Sequence, residues 1–251
     1  MFSKKTKLFI FLSFIFLTNA LTAEFMGVKV FDLNESISSN LPAILLFGEK
    51  MEWQFTTGVL LWPFVFVLTD TINDYFGVKG VKQLSLLTVG MIIYAFIMIY
   101  LGIHTVAPTW WKQSGKSYDI DDAQNAYHFI FGSSNWIIVG SLIAFLVGQL
   151  TDAYVFKAIK KWSGERGVWI RATISTLISQ FIDSYVVIYV AFVIGGNWTI
   201  TQFFQVATMN YILKFILAIV MIPLLLVISK LIDRYLGKEL AKKIKTDALD
   251  N

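Results

Sequence analysis

The chain has 251 residues, of which 56% are hydrophobic and only 15% are charged. Its mean hydropathy of +0.65 is too high for an ordinary soluble domain and indicates an integral membrane protein. The absence of cysteine from the sequence excludes disulfides, thiolate metal sites and cysteine nucleophiles. The net charge of +4 comes from basic residues clustered at the ends of apolar runs. Because membrane orientation explains such clusters, we expect no nucleic-acid partner.

Six apolar segments are long enough to cross a bilayer as helices, which takes about 20 residues each. These spans are 8–27, 53–72, 83–103, 136–156, 169–194 and 203–229. Their apolar runs show no sustained period of two, so helices are the structure that satisfies their backbone in lipid. The predicted fold class is an all-α integral membrane protein with a single transmembrane domain over 1–251.

Basic residues predict the orientation of these spans. They precede the first span, separate the second from the third and the fourth from the fifth, and follow the sixth. They are Lys4, Lys5, Lys7, Lys79, Lys82, Lys157, Lys160, Lys161, Arg166 and the basic residues of the tail 230–251. Both termini and this tail should therefore be cytoplasmic, and the loop 104–135 external. The first span also has the basic start of a secretory signal, but its apolar character continues for longer than a signal core needs, which favours a retained helix.

The external loop contains two features that resemble functional motifs. The Gly-Lys-Ser at 115–117 lacks the glycine that a phosphate-binding loop needs five positions earlier. His104 and His128 lack the spacing of metal ligands. The sequence also contains neither a His-Glu-x-x-His helix nor a Gly-x-Ser-x-Gly elbow. We therefore expect no cofactor, no metal site and no enzymatic activity.

Polar residues interrupt four of the apolar spans. An ionised carboxylate in the middle of a bilayer costs about 2.5–3.5 kcal/mol, so it normally faces a partner, a wet cavity or a ligand. Interhelical hydrogen bonding is the alternative role. Three-residue and four-residue spacings place several of these groups on common helix faces. They are Asp70, Asn73 and Asp74, then Gln149 and Asp152, then Gln180 and Asp183, and finally Asn210 and Lys214. The depths of Asp183 and Lys214 in their spans predict an ion pair between them.

Aromatic residues lie next to the polar pairs, among them Tyr154 and Tyr185. By default such rings belong to the core or face lipid. Their alternative use is to stack on a flat ligand whose edge is read by neighbouring amides and carboxylates. This combination would suit a planar, purine-like heterocycle.

Three stretches of the sequence carry a resemblance to a known family. They are "LTDTINDYFG", "GQLTDAYVFKAIKK" followed by "WIRATISTLISQFIDSYV", and, more weakly, "NYILKFILAIVMIPLL". They resemble the queuosine precursor transporter family, also described as a vitamin uptake transporter family, over about 53–229. The resemblance implies a six-helix carrier of the bacterial inner membrane that imports 7-cyano- or 7-aminomethyl-7-deazaguanine. Its motifs imply a substrate site at Asp70, Asn73, Asp74, Gln149, Asp152, Gln180 and Asp183, with Lys214 as a weaker member.

Two other functions are compatible with the same pattern. The chain could be the substrate-binding component of an energy-coupling-factor vitamin importer, which needs a separate ATPase and a scaffold protein. The Ala-x-x-x-Ala stripe expected for docking that scaffold is not found near Ala20 and Ala23. The chain could also be a membrane scaffold that transports nothing. The related Gln-x-x-Asp motifs on two oppositely directed helices are typical of an inverted repeat of three plus three helices. The preferred base, the coupling ion and the oligomeric state, a homodimer included, are left open.

Overall fold

The computed structural model describes residues 2–132, 135–163 and 168–250. The orientation marker Arg166 therefore lies outside the described residues. Most of the chain is helical, as predicted. The helices are α1 Lys4–Met26, α2 Leu33–Ser36, α3 Trp62–Ile103, α4 Thr109–Lys112, α5 Ala123–Phe131, α6 Asn135–Ser163, α7 Val168–Ile188, α8 Ile200–Val220, α9 Ile222–Leu236 and α10 Lys238–Asp250, with a π-helical turn at Tyr189–Ile194 after α7.

Two short antiparallel strand pairs lie between α1 and α3 and were not predicted. Strand β1 Val30–Asp32 pairs with β4 Gln54–Thr56, and β2 Ile44–Leu46 pairs with β3 Glu49–Met51. The predicted second span, 53–72, consequently starts later, at Trp62, because residues 54–56 belong to a strand. A single 3₁₀ turn over 57–60 joins that strand to the helix. Pro63 then occupies the first helical turn, where its missing N–H removes no helical hydrogen bond.

Helix α3 contains both the predicted second span and the predicted third span. A straight helix of its 42 residues would be about 63 Å long, twice the thickness of a bilayer core. The helix is interrupted at Gly77, whose φ of 71° and ψ of −176° are not helical. The short loop expected between the two spans is therefore replaced by one residue in a conformation that is essentially restricted to glycine.

Contacts with α1 show that the chain reverses direction at Gly77. Phe96, in the second arm of α3, has its ring 5.9 Å from that of Phe25 at the end of α1. Gly58, just before the first arm, lies so close to the same end that a Cβ atom there would be 2.7 Å from the Ala23 carbonyl oxygen. Because both sides of Gly77 return to one end of α1, α3 is a hairpin of two antiparallel arms.

The predicted last span, 203–229, is divided in two. Helix α8 ends at Val220, and α9 starts after Met221 with Pro223 in its first turn. The described part of the predicted basic tail 230–251, which ends at 250, is largely helical: α9 continues to Leu236, and α10 follows a turn at Gly237. Helix α10 is amphipathic and packs its buried residues against α3. These residues are Ala241, Ile244 and Ala248.

The segment predicted as the external loop 104–135 contains two short helices, α4 and α5, within its described part, which excludes 133 and 134. The Gln124 side-chain amide donates a hydrogen bond to the Ile103 carbonyl oxygen at 2.8 Å. This contact ties α5 to the end of α3. The packing of Trp111 against Tyr127, with ring centroids 6.1 Å apart, connects α4 with α5.

The bundle hides polar side chains and exposes apolar ones. Gln149 and Asp152 are completely buried, whereas residues such as Leu87 and Ile97 are more than half exposed. Within the described residues, five helical stretches are long and apolar enough to cross a membrane, with α3 counted once. The molecule is therefore an all-α, multi-pass membrane protein whose outer surface suits lipid.

Candidate functional site

The first arm of α3 and helix α6 run parallel and contact each other through polar side chains. The Thr69 hydroxyl donates to the Gln149 side-chain oxygen at 2.5 Å, and the Asn73 amide donates to the Ala153 carbonyl oxygen at 2.9 Å. The second contact lies four residues after the first on each helix, so both contacts involve one face of α3 and one face of α6. Thr69, Asn73 and Gln149 are almost completely buried, which places this polar seam inside the bundle.

Helix α7 runs in the opposite direction and supplies hydroxyl groups to two buried carboxyl groups. Ser175 and Thr176 donate to the two oxygens of Asp70 at 3.4 and 3.2 Å. Ser179 donates to Asp152 Oδ1 at 3.2 Å. Asp70 is 3% exposed and Asp152 is completely buried. In the part of the chain that the structure describes, neither carboxyl group forms an ion pair.

Asp74, one turn after Asp70, has the opposite environment. One of its oxygens lies 2.9 Å from the Lys160 ammonium and 2.8 Å from the Arg171 guanidinium. The other oxygen lies 3.5 Å from the ammonium of Lys245 on α10. Lys245 also contacts Asp233 of α9 at 2.9 Å. This ionic cluster joins α3, α6, α7, α9 and α10 at one end of the polar seam.

The predicted ion pair between Asp183 and Lys214 is present and joins α7 to α8. Both side chains are mostly buried. Helix α6 packs against α7 at this level, where a Cβ atom on Gly148 would be in van der Waals contact with Asp183 Cβ at 3.5 Å. Asp183 is therefore neutralised from α8, while its own helix packs tightly on α6.

A small cavity lies between the first arm of α3 and helices α7, α8 and α9. Its polar wall consists of Asp70, Gln180 and Lys214, and the rest of its lining is mainly apolar. The cavity volume is about 30 Å³, which is enough for about two water molecules. Sites for ring-sized ligands usually measure about 300–1,000 Å³. The structure therefore represents a closed state, and a larger ligand would enter only after these helices separate.

Three buried polar atoms, one on the cavity wall and two in the polar seam, have no hydrogen-bond partner among the described residues. They are Gln149 Nε2, Asp152 Oδ2 and Gln180 Oε1. Buried polar atoms are normally paired, and leaving one unpaired costs about 1–3 kcal/mol. One donor and two acceptors thus remain available for a ligand, a proton or water, and Gln180 lies directly on the cavity wall.

The other predicted site residues lie away from the described cavity lining. The Asn210 side chain donates to the Val206 carbonyl oxygen of its own helix at 2.9 Å. The Tyr185 hydroxyl is 2.9 Å from the Thr208 hydroxyl, so this ring belongs to the contact between α7 and α8. Tyr154 is 57% exposed on the outer surface. The structure therefore does not bring the two tyrosines together around a flat ligand.

Several residues of the site were not predicted. Arg171 and the hydroxyl residues of α7 contact the carboxyl groups, although none was singled out from the sequence. Arg171 could have been recognised as a charged residue inside the apolar span 169–194. Thr176 could have been found four residues before Gln180, and Ser179 and Ser175 four and eight residues before Asp183, by following the helical spacing.

Comparisons with known proteins agree with this architecture. A family model described as "Putative vitamin uptake transporter" matches residues 56–228. A Bacillus subtilis protein named "Probable queuosine precursor transporter" is 25% identical over 82% of this chain and 85% of its own length. The "Queuosine precursor transporter" of Escherichia coli is 25% identical over 88% of this chain and 92% of its own length. No solved structure matches the chain. Because the family model covers more than half of the sequence, the chain belongs to the vitamin uptake transporter family and is a membrane transporter of that family.

Proposed function

We propose that the chain imports queuosine precursors, 7-cyano- or 7-aminomethyl-7-deazaguanine, across the bacterial inner membrane. The observation that carries the proposal is the set of unpaired buried amide and carboxyl atoms on the cavity wall and in the polar seam. The names of the relatives from Bacillus subtilis and Escherichia coli support the same substrate class.

The hydrogen-bonding groups suit the edge of a guanine-like base. That edge presents a carbonyl acceptor beside an N–H and an amino group, so its reader must supply one donor and two acceptors. Gln149 Nε2 can donate to the carbonyl, and Gln180 Oε1 can accept from the amino group. Asp70, on the cavity wall, can accept from the ring N–H. Asp152 lies behind this group, and Asp183 is neutralised by Lys214, so both support the reading residues.

The positions of the basic residues support a topology with six crossings and both termini in the cytoplasm. Counting each arm of α3 as one crossing turns the five apolar stretches into six. The Lys4 ammonium donates to the Tyr235 carbonyl oxygen at 3.1 Å, which brings the two terminal regions together. Lys245 and Lys160 meet at Asp74. Because basic residues favour the cytoplasmic side, this end of the bundle is the cytoplasmic end.

The cluster around Asp74 then closes the cytoplasmic end of the polar seam. The state described here is closed at the cavity, so transport requires the helices around the cavity to separate alternately toward each side. A stand-alone carrier is favoured over a component of a larger importer. Ala20 and Ala23 of the first helix are buried within the chain itself, where they are not available for docking a separate scaffold protein.

Uptake into cells that lack their own importers tests this function. We expect labelled 7-deazaguanine base to accumulate on expression of the chain alone, to be recovered chemically intact, and to gain nothing from a partner ATPase. Unlabelled guanine-like bases should compete, and adenine-like bases should compete poorly because their edge presents a different order of donors and acceptors. Uptake that required the ATPase would support the vitamin-importer alternative, and no uptake in either condition would support a scaffold.

A further inference from the structure

Four carboxyl groups are buried along the polar seam, and they are neutralised in two different ways. Asp74 and Asp183 each contact at least one cation. Asp70 and Asp152 contact only hydroxyl groups among the described residues. The difference is local, since Asp74 lies only one turn from Asp70. The absence of a described cation contact at Asp70 and Asp152 therefore requires an explanation specific to these two groups.

The two carboxyl groups without cations contact neighbouring residues of one stretch of α7, because Asp70 accepts from Ser175 and Thr176 and Asp152 accepts from Ser179. Two ionised carboxylates offer only acceptors, so neither can stabilise the other without a proton. Asp152 Oδ2 is buried and receives no hydrogen bond from the described residues. Burying one carboxylate without a cation is costly, and burying two neighbouring ones is more costly still. A proton on one of them removes most of that cost.

The charged groups that form described contacts on the helices around this pair have partners elsewhere. The described contacts are those of Lys160, Arg171 and Lys245 with Asp74, of Lys214 with Asp183, and of Glu24 with the Ser141 hydroxyl. Lys214 also lines the cavity, but its ammonium is bound to Asp183. None of these groups supplies the missing positive charge to Asp70 or Asp152.

We propose that Asp70 and Asp152 form a proton-binding site and that its proton is carried inward together with the substrate. The coupling half of this proposal rests on the proposed transport function, whereas the proton site does not. An O–H bond forms at the unpaired Asp152 Oδ2 with a proton from the external side. On release to the cytoplasm the same bond breaks. Each base is thus accompanied by one proton, so that transport of the neutral 7-cyano base moves one positive charge and transport of an aminomethyl base, with its own ammonium, moves two.

Access and coupling both follow from the position of Asp70. Its side chain lines the cavity, where the buried and unpaired Gln180 Oε1 independently marks a ligand position. With the proton on Asp152, the single remaining charge on Asp70 is stabilised by two hydroxyls and can still accept a hydrogen bond from the base. Without that proton the pair would carry two charges in an enclosed space. Substrate and proton therefore favour the same state of the site.

Infrared difference spectroscopy of the purified full-length protein tests the proton site without any transport. A pH step should change the C=O stretching band of a protonated carboxyl group. The change should be lost in Asp70→Asn and Asp152→Asn and retained in Asp121→Asn, a matched change at an exposed external carboxylate. A band that neither buried variant alters would overturn the proposal. If an Asn variant failed to fold, proton counting on the wild-type protein would decide.

Proteoliposomes that enclose a pH-sensitive dye test the coupling. An acidic exterior should accelerate accumulation of labelled base, and the dye should report inward proton movement with each base. Accumulation driven by a sodium gradient alone, or base movement without protons, would overturn the coupling. If no base moved under any gradient, the proposed function would fail, and the infrared measurement would still decide the proton site.

Discussion

At the scale of single residues, the buried ion pairs hold the helices in register around the cavity. Lys214 is 10% exposed at its side chain and Asp183 is 15% exposed, so neither charge is well solvated. Removing one partner of a buried ion pair typically costs about 3–5 kcal/mol, because the other charge stays behind. Replacing both partners by neutral groups is far less costly. The pair therefore has a distinct mutational signature.

We expect Lys214→Met to lower thermal stability and expression strongly, because it leaves Asp183 buried without a cation. Asp183→Asn should do the same by isolating Lys214. The double variant should recover most of the lost stability, as measured by thermal unfolding of the purified protein. A double variant that is no more stable than the less stable of the two single variants would show that the two residues do not act as a pair.

Contacts between side chains could be predicted where the depth of each residue in its helix identified the partner. They could not be predicted where the set of neighbouring helices had to be known. Asp183 and Lys214 could be paired because their depths in adjacent spans match. The contacts of Asp74 with residues of α6, α7 and α10 were not predicted. One sequence does not state which helices are neighbours. The outward position of Tyr154 agrees with the default expectation that the rings beside the polar pairs belong to the core or face lipid.

At the scale of elements, the α3 hairpin delivers Asp70 and Asp74 to the seam. Gly77 lies three residues after Asp74, and its backbone conformation reverses the chain without a loop. A side chain in this region of φ and ψ costs about 1–3 kcal/mol. The hairpin therefore depends on glycine at this position.

Gly77→Ala should destabilise the protein by about 1–3 kcal/mol, since alanine strongly disfavours this backbone conformation. Gly90→Ala is the matched control in the second arm of the same helix, where a Cβ atom would meet nothing within 4 Å. It should be neutral or stabilising by about 0.5–1 kcal/mol, because alanine is the better helix former. Thermal unfolding of both variants measures this, and equal effects would refute the special role of Gly77.

The lengths of the apolar runs predicted where helices occur but did not predict how the helices begin and end. All six predicted spans overlap helices, because long apolar runs have few other stable structures in lipid. The break at Gly77 lies between the predicted second and third spans, whereas the break at Met221 was missed because it lies within an apolar run that continues past it. The strand pairs before α3 were missed because three-residue strands leave almost no periodic signal.

At the scale of the whole molecule, basic residues distant in sequence gather at one end of the bundle. The contacts of Lys4, Lys160 and Lys245 all lie at this end. The strand pairs pack against α8 through Phe55 and Met209, at the opposite side of the polar seam. This polarity is what the positive-inside rule requires of a protein with both termini in the cytoplasm.

The absence of cysteine makes this topology directly measurable. A cysteine introduced at the exposed Glu35 should react with a membrane-impermeant maleimide on intact cells. A cysteine at the exposed Glu239 of α10 should react only after the membrane is opened. Labelling of the second position on intact cells would place the C-terminal helix outside and contradict the proposed orientation.

The central claim, that the buried amides beside the cavity read a 7-deazaguanine base during import, is tested most directly by one paired uptake measurement. Gln180→Asn keeps the amide but withdraws it from the cavity wall, whereas Gln113→Asn makes the same change at an exposed external position. Losing one such hydrogen bond costs about 0.5–1.5 kcal/mol, so the apparent KM for labelled base should rise roughly two- to tenfold in Gln180→Asn. The account predicts this rise at normal protein levels, with wild-type uptake in Gln113→Asn. An unchanged apparent KM in Gln180→Asn, at wild-type expression, would contradict it.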